Sequence, residues 1–198
     1  MTAGKLALTL HERLRSATRL LHHAAEEAFD AEQRLSTMDG YVALLDELWS
    51  LHAGVELGLR AHGEQICGLD LEGCRRSALL ALDLKAAARR APRLDPVSAI
   101  YHSLSAAMGG LYVLEGSMLG GRILLPRAEC VLGVTEANGG QFLAGDGVNT
   151  GRRWRSFIEA LGKIPATGQE ADDAEAGARD TFALFISVLG PSYRVPAS

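Results

Sequence analysis

The chain has 198 residues, 47% hydrophobic and 22% charged, with a net charge of −4. That is enough apolar material for one sizeable core and too little charge for a disordered chain. The negative balance argues against nucleic acid as the main partner, and no apolar run approaches the roughly 20 residues that span a bilayer.

The N-terminus, MTAGKLALTLHERL, has one Lys and a brief apolar stretch, without a small-residue cleavage site, so it does not read as a signal peptide. The three cysteines, Cys67, Cys74 and Cys130, are odd in number and lack CxxC spacing. They read as reduced thiols of a cytoplasmic protein, with no structural zinc.

Helical periodicity runs nearly throughout, and there is neither a strand alternation nor an internal repeat. A first helix is predicted from about Leu8 to Asp30. A second starts at a cap on Ser36 or Thr37 and continues through YVALLDELWSLHAGVELGLRAH. After a glycine-rich gap, RRSALLALDLKAAARR forms a third, and Pro92 and Pro96 break the pattern. A long glycine-rich helix is predicted from about Pro96 to Leu125, with Pro126 marking its end. The stretch ANGGQFLAGDGVNTG reads as turns around one short apolar piece. The last two helices are predicted at Gly151 to Leu161 and Ala171 to Leu189. The pattern is that of an all-α protein forming one domain over residues 1–198.

On the first helix, at ~100° per residue, Leu14, Leu21, Ala25 and Phe29 form an apolar stripe. A second stripe beside it holds Arg15, Thr18, Arg19, His22 and Glu26. His22 thus lies between core and charge, with a carboxylate one turn later and arginines one and two turns earlier. A neutral imidazole whose second N–H is held by a carboxylate suits metal ligation, and the arginines suit an anionic ligand. Taken alone, however, the stripe fits a solvated charged face better. His23 points about 100° away from His22. His11, His52, His62 and His102 occur singly and read as packing or surface residues.

In YHSLSAAMGGLYVLEGSMLGGRILL, Gly109, Gly116 and Gly120 fall on one line, with Ser105 and Ser117 to its sides; Gly110 and Gly121 lie nearby. Each glycine inside a helix costs about 1 kcal/mol relative to alanine, so a compensating use is expected. A bare backbone stripe admits something flat, or it seats another helix tightly; taken alone the second is the simpler reading. The pattern is neither G-x-G-x-x-G after a strand nor a Walker loop.

The two segments together resemble the haem oxygenases. That family carries L-[KR]-x-x-T-x-x-x-H-x-x-x-E on its proximal helix, which LRSATRLLHHAAE matches through Leu14, Arg15, Thr18, His22 and Glu26. Its distal helix carries G-[DS]-x-x-G-[GA], which GSMLGG matches through Gly116, Ser117, Gly120 and Gly121. The resemblance continues through YVALLDELWSLHAGVE, SALLALDL, WRSF and TFALFISVL, and so covers most of the chain. It is closest to bacterial, biliverdin-producing members. GSMLGGRILLPR looks most like those that accompany bacteriophytochromes.

The resemblance implies a helical bundle with haem sandwiched between a proximal and a glycine-rich distal helix. His22 is then the iron ligand and Glu26 its partner. Thr18 belongs to the same haem-contacting pattern, and Arg15, Arg19 and Arg155 match positions that contact the propionates. Gly116, Ser117, Gly120 and Gly121 cover the oxygen-binding side. Animal members have an aspartate where this chain has Ser117, as several bacterial members do, so proton delivery here relies on water, backbone carbonyls or another group. Haem b would be both substrate and cofactor, cleaved by O2 to biliverdin, carbon monoxide and ferrous iron. No flavin or nicotinamide motif is visible, which implies an external ferredoxin, flavodoxin-type or NAD(P)H-dependent reductase. A bacteriophytochrome is the implied bilin acceptor. Competing readings are a haem carrier or sensor without turnover, a thiamine-degrading relative on the same architecture, and a purely structural bundle.

Overall fold

The structure, a computed structural model, describes residues 8–66 and 76–190. Helix α1 (Leu10–Phe29) opens on Thr9, whose hydroxyl accepts the Glu12 N–H while the Glu12 carboxylate accepts the Thr9 N–H. Asp30, at φ 42°, ends α1 and caps the one-turn α2 (Ala31–Arg34). Helix α3 (Met38–Arg60) is capped by Thr37; Ser36 instead donates to the Gln33 carbonyl. Then come α4 (Gly63–Ile66), α5 (Arg76–Ala88), α6 (Leu104–Leu132), α7 (Gln141–Ala144), α8 (Thr150–Leu161) and α9 (Gln169–Leu189). The described residues contain no sheet, and none of their helices is long and apolar enough to cross a membrane. Cys67 and Cys74 lie outside the described residues; Cys130 is a free, exposed thiol.

Two boundaries differ from expectation. The glycine-rich helix begins at Leu104, capped by the Ser103 hydroxyl, not near Pro96. The preceding residues run as a strap over α3, where the Val97 N–H donates to the Ser50 carbonyl. Gly54 admits this backbone so closely that a Cβ there would lie 2.1 Å from the Val97 carbonyl oxygen. The helix also passes through Pro126 to Leu132. Proline withholds one hydrogen bond and crowds the preceding turn, which ordinarily ends a helix. Here Ala128 is fully buried beyond it, Leu132 packs on the core, and Gly133, at φ 69°, closes the end. Burial outweighs the missing bond.

The core joins α1, α3, α5, α6, α8 and α9 through Leu14, Tyr41, Leu80, Leu111, Phe157 and Ala178. Its tightest seam is α6 against α9. A Cβ at Gly109 would lie 1.9 Å from the Ala174 carbonyl oxygen, and one at Gly177 would lie 2.0 Å from that of Ala106. The two glycines thus seat the helices backbone to backbone. Helix α1 joins α9 through Arg13, which pairs with Asp172 at 2.5 Å and Glu175 at 3.0 Å. Below α6, the Asp83 carboxylate accepts the N–H groups of Gln141 and Phe142 at 2.9 and 2.8 Å, fixing α7 in place.

Candidate active site

Helices α1 and α6 face each other without sharing a close seam. They meet at one end, where Tyr112 hydrogen-bonds the Thr18 side chain. The Thr18 hydroxyl also lies 2.8 Å from the Leu14 carbonyl, to which it donates. They approach again at the far end, where Arg127 donates to the carbonyl of Glu32, just beyond α1, at 3.3 Å. Between these ties lie His22 and Glu26 on one side, and Gly116 and Gly120 on the other.

His22 is exposed, with Nδ1 3.5 Å from Oε1 of Glu26. Its ring is edge-on to Phe182 of α9, with centroids 5.8 Å apart. Nδ1 is thus the nitrogen that meets Glu26. His23 makes the parallel pair with Glu27, but through Nε2 at 3.4 Å, so its outer nitrogen is the one engaged. The two adjacent imidazoles are thereby inequivalent.

On the other helix, one face of α6 carries Gly116, Leu119, Gly120 and Ile123. Ile123 is 78% and Leu119 40% exposed. A Cβ at Gly120 would meet no atom within 4 Å, and one at Gly116 would meet only the Trp154 ring at 3.8 Å. The other two residues of the motif point elsewhere. Gly121 is buried against α7, where a Cβ would lie 3.1 Å from the Leu143 carbonyl oxygen. Ser117 donates its hydroxyl to the Leu114 carbonyl at 2.8 Å.

Of the three arginines, Arg15 is the one whose charge reaches Tyr112. Arg15 and Arg19 are exposed on α1, and the Arg15 charge acts on both His11 and Tyr112. Burial and Arg15 together lower the His11 pKa, whereas burial raises that of Tyr112. Arg155 is exposed on α8, its guanidinium lying back along the helix beside Gly151. Its neighbour Trp154 is the α8 side chain that reaches Gly116.

Sequence reasoning missed Tyr112, Trp154, Phe182 and the apolar pair Leu119 and Ile123. Tyr112 lies one turn before Gly116 in nearly the same phase and was legible; Trp154 and Phe182 come from other helices and were not. An imidazole beside a carboxylate on α1, a bare and partly apolar face on α6, and exposed arginines on α1 and α8 fit a flat, anionic, metal-bearing ring such as haem.

Residues 8–190 match the family described as heme oxygenase. Heme oxygenase PigA of Pseudomonas aeruginosa is 36% identical over 87 residues, 44% of this chain and 43% of that protein, so the aligned stretch spans less than half of its length. The heme oxygenase of Neisseria meningitidis, solved with NO and CO bound, superposes with a TM-score of 0.82 at 26% identity, covering 96% of both chains. Heme oxygenase 2 of Chlamydomonas reinhardtii, solved without heme, shares the fold at TM-score 0.76 and 13% identity, over 96% of this chain and all of that one. With the family match running almost end to end over this all-helical fold, the chain belongs to the haem oxygenase family.

Proposed function

We propose that the protein binds haem between α1 and α6 and opens its ring with dioxygen and electrons from an external reductase, releasing biliverdin, carbon monoxide and ferrous iron. One pairing supports this reading: His22 on α1 meets Glu26 through Nδ1, and α6 carries a glycine face whose backbone is uncovered. Among the described residues no three His, Cys, Asp or Glu side chains gather as a metal site.

When bound, haem supplies the iron that takes up dioxygen and the carbon skeleton that is oxidised. The protein supplies position and electrostatics. His22 holds the iron and Glu26 its other N–H, while Arg15, Arg19 and Arg155 attract the carboxylates. Thr18 acts by fixing Tyr112. Gly116 and Gly120 let the flat ring approach the backbone and exclude bulk water, and Gly121 keeps α6 seated on α7. The Ser117 hydroxyl spends its proton on the Leu114 carbonyl, so it presents a lone pair for a water and not a donor. The whole chain, 1–198, is read as one domain acting in the cytoplasm, its bilin passing to a bacteriophytochrome.

The test is haem titration of wild type, His22→Ala and His23→Ala, followed by reductant and oxygen. Wild type and His23→Ala give a Soret band that decays to a biliverdin spectrum, and His22→Ala loses the native haem spectrum. A stable Soret band in wild type under turnover conditions makes the protein a haem carrier instead.

A further inference from the structure

We infer that Trp154 sets how far haem seats along α6, and hence which meso carbon of the ring is opened; this rests on the haem reading above. The α6 face has a defined end. At Gly120 a Cβ would meet nothing within 4 Å, but one turn earlier, at Gly116, it would meet Cη2 and Cζ3 of Trp154 at 3.8 Å. The six-membered ring of the indole therefore lies in van der Waals contact range of the Gly116 position. A planar ligand spread over the glycine face slides toward Trp154 until edge meets edge.

The stop is rigid, because α8 grips α6 at two consecutive pairs. Arg153 binds Glu115 with two charge-assisted bonds, at 2.8 and 2.9 Å, and Trp154 covers Gly116 beside it. The indole is packed on three sides: Tyr112 with centroids 5.9 Å apart, His11 edge-on at 5.8 Å, and Phe157 at 5.7 Å. Phe157 is itself 2% exposed and anchors α8 in the core. A half-buried side chain with three aromatic neighbours and two torsions is held far more firmly than a long exposed one.

Specificity follows from symmetry. The four meso edges of haem are nearly alike, so their ranking comes from where the ring stops relative to the iron axis defined by His22. Carboxylate contacts with arginines fix which edge turns outward, but long exposed side chains yield with little resistance. An aromatic wall does not. Shortening it lets the ring translate toward α8 and rotate about the iron, which brings a second meso carbon beneath the glycine face.

The experiment uses haem-reconstituted wild type, Trp154→Ala, Trp154→Leu and Trp154→Phe. Proton spectra of the ferric cyanide complexes read haem seating through the methyl resonances, independently of turnover. Chromatography of the bilins reads the isomers. Trp154→Ala and Trp154→Leu are expected to keep the Soret band, show a second set of methyl resonances, and yield a second biliverdin isomer. Trp154→Phe, which refills the wall with a ring, restores the wild-type pattern. A wild-type methyl pattern and isomer in folded Trp154→Leu overturn the inference while leaving the proposed function intact. A wild-type protein that takes up no haem overturns the proposed function and this inference with it.

Discussion

The two halves of α6 use one residue type in opposite ways. In the first half, Gly109 and Gly110 are closed in: a Cβ at Gly109 would lie 1.9 Å from the Ala174 carbonyl oxygen, and one at Gly110 2.4 Å from the Tyr101 hydroxyl. In the second half, Gly120 meets nothing within 4 Å and Gly116 only the edge of Trp154. Each glycine costs the helix about 1 kcal/mol. The first pair regains it inside the protein by seating α9 and Tyr101. Gly120 regains nothing from the folded chain, in keeping with the ligand face proposed there.

The sharpest way to break this comparison is to add one methyl to each half. Gly109→Ala forces α6 and α9 apart along their closest seam, which should cost about 3 kcal/mol. At about 2–4 °C per kcal/mol for a chain of this size, Tm should fall by about 6–12 °C. Gly120→Ala should instead raise Tm slightly, through helix propensity alone. Circular dichroism melts check both, and equal shifts in the two variants would erase the distinction between the halves.

Next in size is the effect of a larger side chain on the open half. Gly120→Leu should fold, since leucine favours helix by nearly 1 kcal/mol over glycine. It should also bind haem through His22, yet form biliverdin at least about tenfold more slowly, a barrier increase of ~1.4 kcal/mol or more. Single-turnover absorbance after reduction measures this. Undiminished biliverdin formation in the folded variant means that the open face plays no part in the reaction.

The smallest step, taken per pH unit, lies outside α6, in the acid response of α3. His52 of α3 is fully buried between Phe142 and Phe185, neither ring nitrogen has a hydrogen-bond partner, and burial and then Arg76 push its pKa down to about 3. Folded, it stays neutral; unfolded, it takes a proton below its ordinary value of about 6.5. The unfolded state then binds more protons, so the contribution of His52 to stability is complete above that value and is lost as pH falls toward 3. The loss is at most about 1.4 kcal/mol per pH unit across this window. Thermal melts between pH 7 and 4 should show this slope in wild type, and His52→Phe should flatten it. An unchanged slope in the variant assigns the acid sensitivity to other groups.

How much was legible in advance depends on the range of the physics. Leu14, Thr18, His22 and Glu26 share a register because helical geometry repeats every 3.6 residues, so their juxtaposition is local and readable. Pro126 was misread as a stop because a local rule was overridden by the burial of Ala128 and Leu132 two and six residues later. Gly109 and Gly116 share one line along α6 and were read as one stripe. They part company because the Gly177 seam of α9 crosses the first and α8 touches only the edge of the second, and no periodicity in α6 encodes where its neighbours pass. The same holds for α8: WRSF pointed to Arg155 by resemblance, while the residue at the glycine face is Trp154.

The sequence by itself determined an all-helical chain and the matched spacing of one histidine and one glycine segment, because caps, periodicity and motif spacing act over a few residues. The tertiary structure alone decided that α1 and α6 meet at their ends and stay apart between. It also decided that His22 meets its glutamate through Nδ1 and His23 through Nε2, and that an indole borders the bare face at Gly116. Each of these depends on side chains distant in sequence competing for the same space, and that competition is resolved only when the core packs.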